Sequence, residues 1–100
     1  MKETSSRAKK LLQYREEIIT LLEKAGARNP QVFGSVARGD DGDESDIDLL
    51  VDFDLNLGLL PIVRVNGELS ILLKERVEVS PQGILLPEIL ASALIDAVPL

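Results

Sequence analysis

The fold and the candidate site are both indicated by residues 32–54, which read VFGSVARGDDGDESDIDLLVDFD. Within this segment, Asp46 and Asp48 stand two positions apart in an aliphatic run. In a β-strand they lie on one face with their Cα atoms roughly 6.6 Å apart, while Ile47 and Leu49 point to the other face. The pattern therefore predicts a strand that carries two neighbouring carboxylates, a ligand set suited to Mg²⁺.

A glycine–serine turn precedes the paired aspartates. Gly34 has no Cβ and lets a ligand approach the backbone, and Ser35 offers a hydroxyl and an amide at the start of a short helix. Arg38 follows as a fixed cation. We interpret these three as candidate nucleotide-binding residues that contact the phosphates of a nucleoside triphosphate. The alternatives are an ordinary strand-to-helix turn and a surface arginine that pairs with the acidic loop.

Composition limits the class of protein. The 100 residues are 45% hydrophobic and carry a net charge of −6, which predicts one small folded domain over residues 1–100. No apolar run approaches the ~20 residues that cross a bilayer, and the polar N-terminal region does not fit a signal peptide, so we expect a cytoplasmic protein. The chain has neither cysteine nor histidine. Acid–base chemistry must therefore use carboxylates, lysine, tyrosine or water.

The charge is unevenly distributed. Residues 2–28 hold seven Lys or Arg and four Asp or Glu, whereas residues 29–100 hold four and thirteen. The acidic body would repel a nucleic-acid backbone, whose binding depends on basic side chains. We therefore expect no direct nucleic-acid partner and no membrane partner. A nucleotide remains compatible with this charge because Mg²⁺ neutralises part of its triphosphate.

Apolar spacing predicts the order of the elements. An amphipathic helix is expected over residues 6–25, and a central strand over residues 47–53. The other expected elements are a strand at 27–33, a short helix through Arg38, a strand at 76–80, a turn at 81–83 and a closing helix at 87–97. The predicted fold class is α/β (α+β), with a small mixed β-sheet backed by helices.

Two segments together carry a family resemblance. Residues 33–40, FGSVARGD, and residues 45–51, SDIDLLV, resemble the signature of the minimal nucleotidyltransferase (MNT) family of the DNA polymerase β superfamily. The resemblance is weaker at residues 77–79 and 97–100. It implies the palm-like nucleotidyltransferase fold, with Asp46 and Asp48 as catalytic residues that hold one or two Mg²⁺ ions.

The resemblance also draws attention to a third acid. The family has an acidic residue, usually aspartate, on the next strand, where this chain has Glu78. By resemblance, Glu78 is a catalytic residue that helps to hold the metal or activates the attacking hydroxyl, although its carboxylate extends one methylene further. The alternative is an outward-facing glutamate on a half-buried strand. In that case the protein would act by binding alone.

Residues 57–75 allow two interpretations. Asn66-Gly67 between apolar runs is typical of a two-residue β-hairpin turn. The family instead has a helix here, with Pro61 in its first turn. We predict the helix.

The resemblance implies an activity and a partner. The chain would transfer AMP from ATP to a hydroxyl, by resemblance a tyrosine of a HEPN-domain ribonuclease toxin, and so act as the antitoxin. The alternative is an MNT-fold antitoxin that neutralises its partner by direct binding. The preferred nucleotide base and the choice between homo- and hetero-oligomer stay open.

The loop before the paired aspartates is strongly acidic. It contains Asp40, Asp41, Asp43 and Glu44. Its spacing fails the EF-hand pattern because the sixth position counted from Asp41 is not glycine. We therefore expect a solvated acidic turn.

Overall fold

The computed structural model describes residues 5–100 and contains five α-helices and four strands within that range. Their order places short helices between the strands of one sheet. Two 3₁₀ turns, Leu55–Leu57 and Gln82–Ile84, join the later elements. The elements are α1 Ser6–Gln13, α2 Arg15–Ala25, β1 Arg28–Phe33, α3 Gly34–Arg38, β2 Ile47–Asp52, α4 Leu60–Leu73, β3 Val77–Pro81, α5 Pro87–Asp96 and β4 Val98–Pro99.

The sheet is mixed and has the strand order β3-β2-β1-β4. Strand β2 runs parallel to β3 and antiparallel to β1, and β4 pairs with the outer side of β1. The parallel pair needs a crossover connection, which α4 provides. Four residues of β2 are completely buried, namely Ile47, Leu49, Leu50 and Val51. The predicted fold class and the central position of this strand are confirmed.

The N-terminal helix differs from the prediction of one continuous helix over residues 6–25. It is divided at Tyr14, whose backbone angles are φ −104° and ψ 18°. The Tyr14 amide still donates to the Lys10 carbonyl, and its carbonyl still accepts from Ile18, both at 2.9 Å. The division is therefore a bend that keeps the hydrogen-bond ladder, and each half retains a buried face.

The second interpretation of residues 57–75, a helix, is confirmed. Helix α4 buries Ile62, Val65, Leu69 and Leu73, which recur at helical spacing. Its Asn66 side chain accepts a hydrogen bond from the Val79 amide at 2.9 Å. Since β3 is an edge strand, Asn66 satisfies an outward amide that would otherwise lack a strand partner. The Asn-Gly signal for a hairpin was therefore wrong.

The buried core lies mainly between the sheet and helices α1, α2 and α4. Helices α1 and α2 contribute four side chains to this core, namely Ala8, Leu11, Ile18 and Leu22. This packing leaves the opposite side chains of β2, including Asp48, on the face away from the core. Within residues 5–100, no helix is both long and apolar enough to cross a membrane.

Candidate active site

Two of the three predicted acids, Asp48 and Glu78, are register partners on the adjacent strands β2 and β3. Asp48 lies in β2 between two register partners, Phe33 of β1 and Glu78 of β3. Asp46 immediately precedes the strand. Partners in register project to the same face of a sheet, so Glu78 stands on the Asp48 face and its side chain is exposed.

Asp48 is an unfavourable place for a negative charge. Burial, together with the nearby negative charges of Glu78 and Asp46, raises the pKa of its carboxyl to about 6, and Arg38 partly opposes this effect. Desolvation and like charges both favour the protonated form. A bound cation would relieve both penalties. The carboxylates therefore have the chemistry of a divalent-cation site.

The acids do not form a ready three-ligand cluster. Among residues 5–100, no group of three His, Cys, Asp or Glu side chains stands close enough to hold one metal ion. One oxygen of Asp46 is instead ion-paired with Arg76, at 2.8 Å from its Nε. That oxygen is buried and lacks a well-directed hydrogen bond. Asp46 and Asp48 are therefore the two carboxylates of the site that could hold a cation, without Glu78 in the arrangement that the structure has.

Gly34 is in direct proximity to the Asp48 carboxylate. It has φ +73°, a left-handed conformation that favours glycine. A Cβ at this position would lie 2.7 Å from Asp48 Oδ2. Ser35 follows in the first turn of α3 and is partly buried. The turn therefore brings the backbone of Gly34, which has no side chain, and the hydroxyl-bearing Ser35 next to the paired aspartates.

Arg38 is held by carboxylates from two directions. It contacts Asp96 of α5 at 2.8 Å and Asp40 of the acidic loop at 3.1 Å. The hydrogen bonds to Asp96 and Asp40 raise the pKa of this guanidinium further. The alternative interpretation of Arg38, an arginine that pairs with the acidic loop, is therefore present in its contact with Asp40. The contact with Asp96 was not predicted, because the two residues are 58 positions apart and α5 carries no site motif.

An open cavity of about 310 Å³ lies between α3 and α5, beside Gly34 and Arg38. Ser92 and Glu88 of α5 contribute polar groups to it, and Ile89 contributes an apolar surface. Helix α5 was not predicted to be part of the site. Its residues enter only because the closing helix folds back against α3.

The acidic loop is anchored rather than fully solvated, which corrects the sequence interpretation at Asp41. This side chain is only 2% exposed and pairs with Arg7 of α1 at 3.2 Å. Arg7 also donates to the Gly42 and Asp43 carbonyls, at 2.8 and 3.2 Å, and its Nε lies 3.1 Å from Glu75. Helix α1 therefore fixes the loop that leads into the paired aspartates.

Replacing this anchor should destabilise the fold. Arg7→Met is expected to lower the free energy of unfolding by about 2–4 kcal/mol, because it leaves the buried Asp41 carboxylate without its cation. Asp43→Asn is the matched control, since this side chain is exposed in the same loop and should change stability by less than about 0.5 kcal/mol. Urea unfolding measures both changes. An Arg7→Met variant as stable as Asp43→Asn would contradict the anchoring role.

Asp48 should make the metal-free protein less stable as the pH rises. Its folded pKa lies above its ordinary value, so its contribution is favourable near pH 4 and is lost as the pH passes through about 6. In the presence of EDTA, Asp48→Asn is expected to be more stable than wild type by about 1–3 kcal/mol at pH 7.5, and by much less at pH 4. Urea unfolding across pH tests this. An equal effect at both pH values would show that the charge is not responsible.

Comparison with sequences of known proteins finds related proteins over most of the chain. The sequence profile of the family described as "Polymerase beta, Nucleotidyltransferase" matches residues 9–94. A Methanocaldococcus jannaschii protein provisionally named protein adenylyltransferase MJ0435 is 39% identical over 67 residues, which cover 67% of this chain and 72% of the relative. Protein adenylyltransferase MntA of Thermococcus cleftensis is 41% identical over 58 residues, which cover 58% of this chain and 59% of the relative.

Two solved structures have the same fold. A provisionally assigned minimal nucleotidyltransferase superposes with a TM-score of 0.81 at 38% identity, covering 92% of this chain and 94% of its own. A toxin–antitoxin crystal structure with AMP-PNP superposes with a TM-score of 0.72 at 20% identity, covering 84% of this chain and 69% of that chain. At that identity, the second comparison concerns the fold alone. The profile match and the relatives together establish that this chain belongs to the polymerase beta nucleotidyltransferase family, as one of its minimal nucleotidyltransferases.

Proposed function

We propose that this protein is a Mg²⁺-dependent protein adenylyltransferase that transfers AMP from ATP to a hydroxyl of a partner protein. The observation that carries the proposal is the position of Asp48, half buried beside Asp46 and against the Cβ-free backbone of Gly34. Negative charge is concentrated around Asp48, which has no ion-pair partner of its own among residues 5–100, and space for a ligand lies beside Gly34. The names of the two archaeal relatives support the choice of AMP and of a protein acceptor.

Asp46 and Asp48 are the residues proposed to hold one or two Mg²⁺ ions. Their carboxylate oxygens suit this cation, and the raised pKa of Asp48 reflects a charge that a cation would stabilise. Bound Mg²⁺ would neutralise charge on the triphosphate and on the departing pyrophosphate.

The nucleotide is proposed to lie along the turn between β1 and α3. Gly34 gives its phosphates access to the backbone, Ser35 offers a hydroxyl, and Arg38 can exchange a carboxylate partner for a phosphate oxygen. The cavity beside them, at about 310 Å³, has room for a nucleoside against Ile89 and Ser92. These residues would orient the α-phosphate toward the acidic strand.

Glu78 is proposed to receive the proton of the acceptor hydroxyl. It is exposed beside Asp48, where an incoming side chain can reach it. The hydroxyl oxygen forms a bond to the α-phosphorus, and the bond from that phosphorus to the bridging oxygen of pyrophosphate breaks. The proton passes to the Glu78 carboxylate and pyrophosphate leaves with the electron pair. Atoms and charge therefore balance without another reactant.

The acceptor is proposed to be a tyrosine of a HEPN-domain ribonuclease toxin, which makes this chain its antitoxin. A toxin–antitoxin structure of the same fold supports that setting. Helix α5, which borders the cavity, exposes Ile89, Leu94 and Ile95, and such an apolar surface suits contact with a protein. The cytoplasm is the compartment consistent with this role.

A second candidate is an antitoxin that neutralises its partner by binding alone. The observation in its favour is that the three acids do not form a cluster among the described residues. In this case Glu78 would remain an exposed surface carboxylate. The two candidates share a fold and a partner, and differ in whether a covalent group is transferred.

The deciding experiment incubates the purified chain with Mg²⁺ and ATP labelled at the α-phosphate, with and without the protein encoded by the adjacent gene. Intact-mass analysis follows the label, and a ribonuclease assay follows neutralisation. A gain of one or more AMP groups on the partner supports the enzyme. A stable, neutralised complex without added mass supports the binding antitoxin and overturns the transferase.

A further inference from the structure

Arg76 forms an ion pair with one of the two paired aspartates. It lies between α4 and β3, and its Nε stands 2.8 Å from Asp46 Oδ1. A terminal guanidinium nitrogen donates to the Glu44 carbonyl at 3.0 Å. The Arg76 carbonyl accepts from the Ile47 amide at 2.9 Å. The arginine thus contacts the start of β2 through its backbone and the residues just before β2 through its side chain.

The two aspartates consequently differ in charge compensation. Asp46 has a guanidinium at contact distance, whereas Asp48 forms no ion pair with the rest of residues 5–100. A cation that binds both carboxylates must share Asp46 Oδ1 with Arg76 or displace it. The arginine side chain is 70% exposed. It can therefore swing into solvent without opening the core.

We infer that Arg76 is a built-in competitor for the divalent cation, holding Asp46 in the metal-free protein and yielding it when the cation binds. This inference rests on the proposed function, because it concerns the same acidic pair. Arg76 acts through Asp46 and is thus a positioning residue. It reduces the repulsion between the two neighbouring carboxylates, and it raises the cation concentration that is needed to occupy the site.

The competition predicts that removing the arginine tightens metal binding. Arg76→Gln is expected to lower the dissociation constant for Mn²⁺, used as the probe, by about two- to fivefold, the range of an exposed ion pair. Arg76→Lys keeps the charge and should remain close to wild type. Arg64→Gln is the control for net charge, since Arg64 is an exposed arginine on α4. It should leave Mn²⁺ affinity unchanged.

Electron paramagnetic resonance of free Mn²⁺ measures these constants on the full chain, without ATP and with a non-hydrolysable ATP analogue. Damage to the fold would weaken binding, so tighter binding by Arg76→Gln alone supports the competition. Unchanged or weaker binding by Arg76→Gln overturns it while the proposed function stands. If neither wild type nor Arg76→Gln binds Mn²⁺ with the analogue present, both the inference and the proposed metal site are overturned.

Discussion

Replacing both paired aspartates, Asp46→Asn together with Asp48→Asn, is expected to reduce AMP transfer to the partner at least about a thousandfold. The amides retain the shape of the side chains but not the charges that would hold the cation. Loss of several kcal/mol of charge stabilisation in the transition state corresponds to a rate effect of this size. Transfer is measured by the α-phosphate label and by the intact mass of the partner.

This variant should also remain folded, which makes its loss of activity interpretable. Asp48 carries a charge that its surroundings disfavour, so neutralising it removes a cost to the folded state. Asp43→Asn, an exposed change in the loop before the strand, is the matched control and should keep full transfer. Transfer by the double variant at a tenth of the wild-type rate or more would contradict the metal role of the pair.

Neutralisation of the partner separates the two candidate functions in the same variant. If AMP transfer is the means of neutralisation, the double variant loses both together. If the chain neutralises by contact, the variant still suppresses the ribonuclease although no mass is added. The result is informative because the carboxylates lie on the sheet face away from the main core, where substitution leaves the packing intact.

The sequence predicts those parts of the fold that depend on local spacing. Strand β2 follows from its uninterrupted aliphatic run, whereas helix α4 was predicted from the family resemblance and against the local hairpin signal of Asn66-Gly67. Asp46, Asp48 and Gly34 stand out because they belong to one short segment with a specific composite pattern. The placement of these residues on one strand and its neighbouring turn could therefore be predicted, whereas their chemistry stays a prediction.

Contacts between distant segments could not be predicted in this way. The pairs Arg7–Asp41 and Arg38–Asp96 join residues 34 and 58 positions apart. Taken alone, each of these residues is a charged side chain in a polar segment, where solvent exposure is the usual expectation. Only the fold brings α1 against the acidic loop and α5 against α3, and it thereby converts Asp41 from a solvated acid into a buried one.

Gly34→Ala is expected to lower AMP transfer about a hundredfold, the effect of an ångström-scale displacement of a catalytic group. The added Cβ would lie 2.7 Å from Asp48 Oδ2, closer than such atoms can approach, so either the carboxylate or the turn must move. The positive φ of +73° adds strain of about 1–2 kcal/mol for any residue with a Cβ. The clash and the backbone strain therefore both act on the Gly34 turn and the Asp48 carboxylate.

Gly58→Ala separates the strain from the clash. Gly58 has a similar φ of +76°, but a Cβ there would have no neighbour within 4 Å. Both variants should lose stability in urea unfolding, while only Gly34→Ala should lose AMP transfer and Mn²⁺ binding. Equal transfer by the two variants would mean that Gly34 serves the backbone conformation alone. Selective loss at Gly34 would mean that the absence of its side chain preserves the position of Asp48.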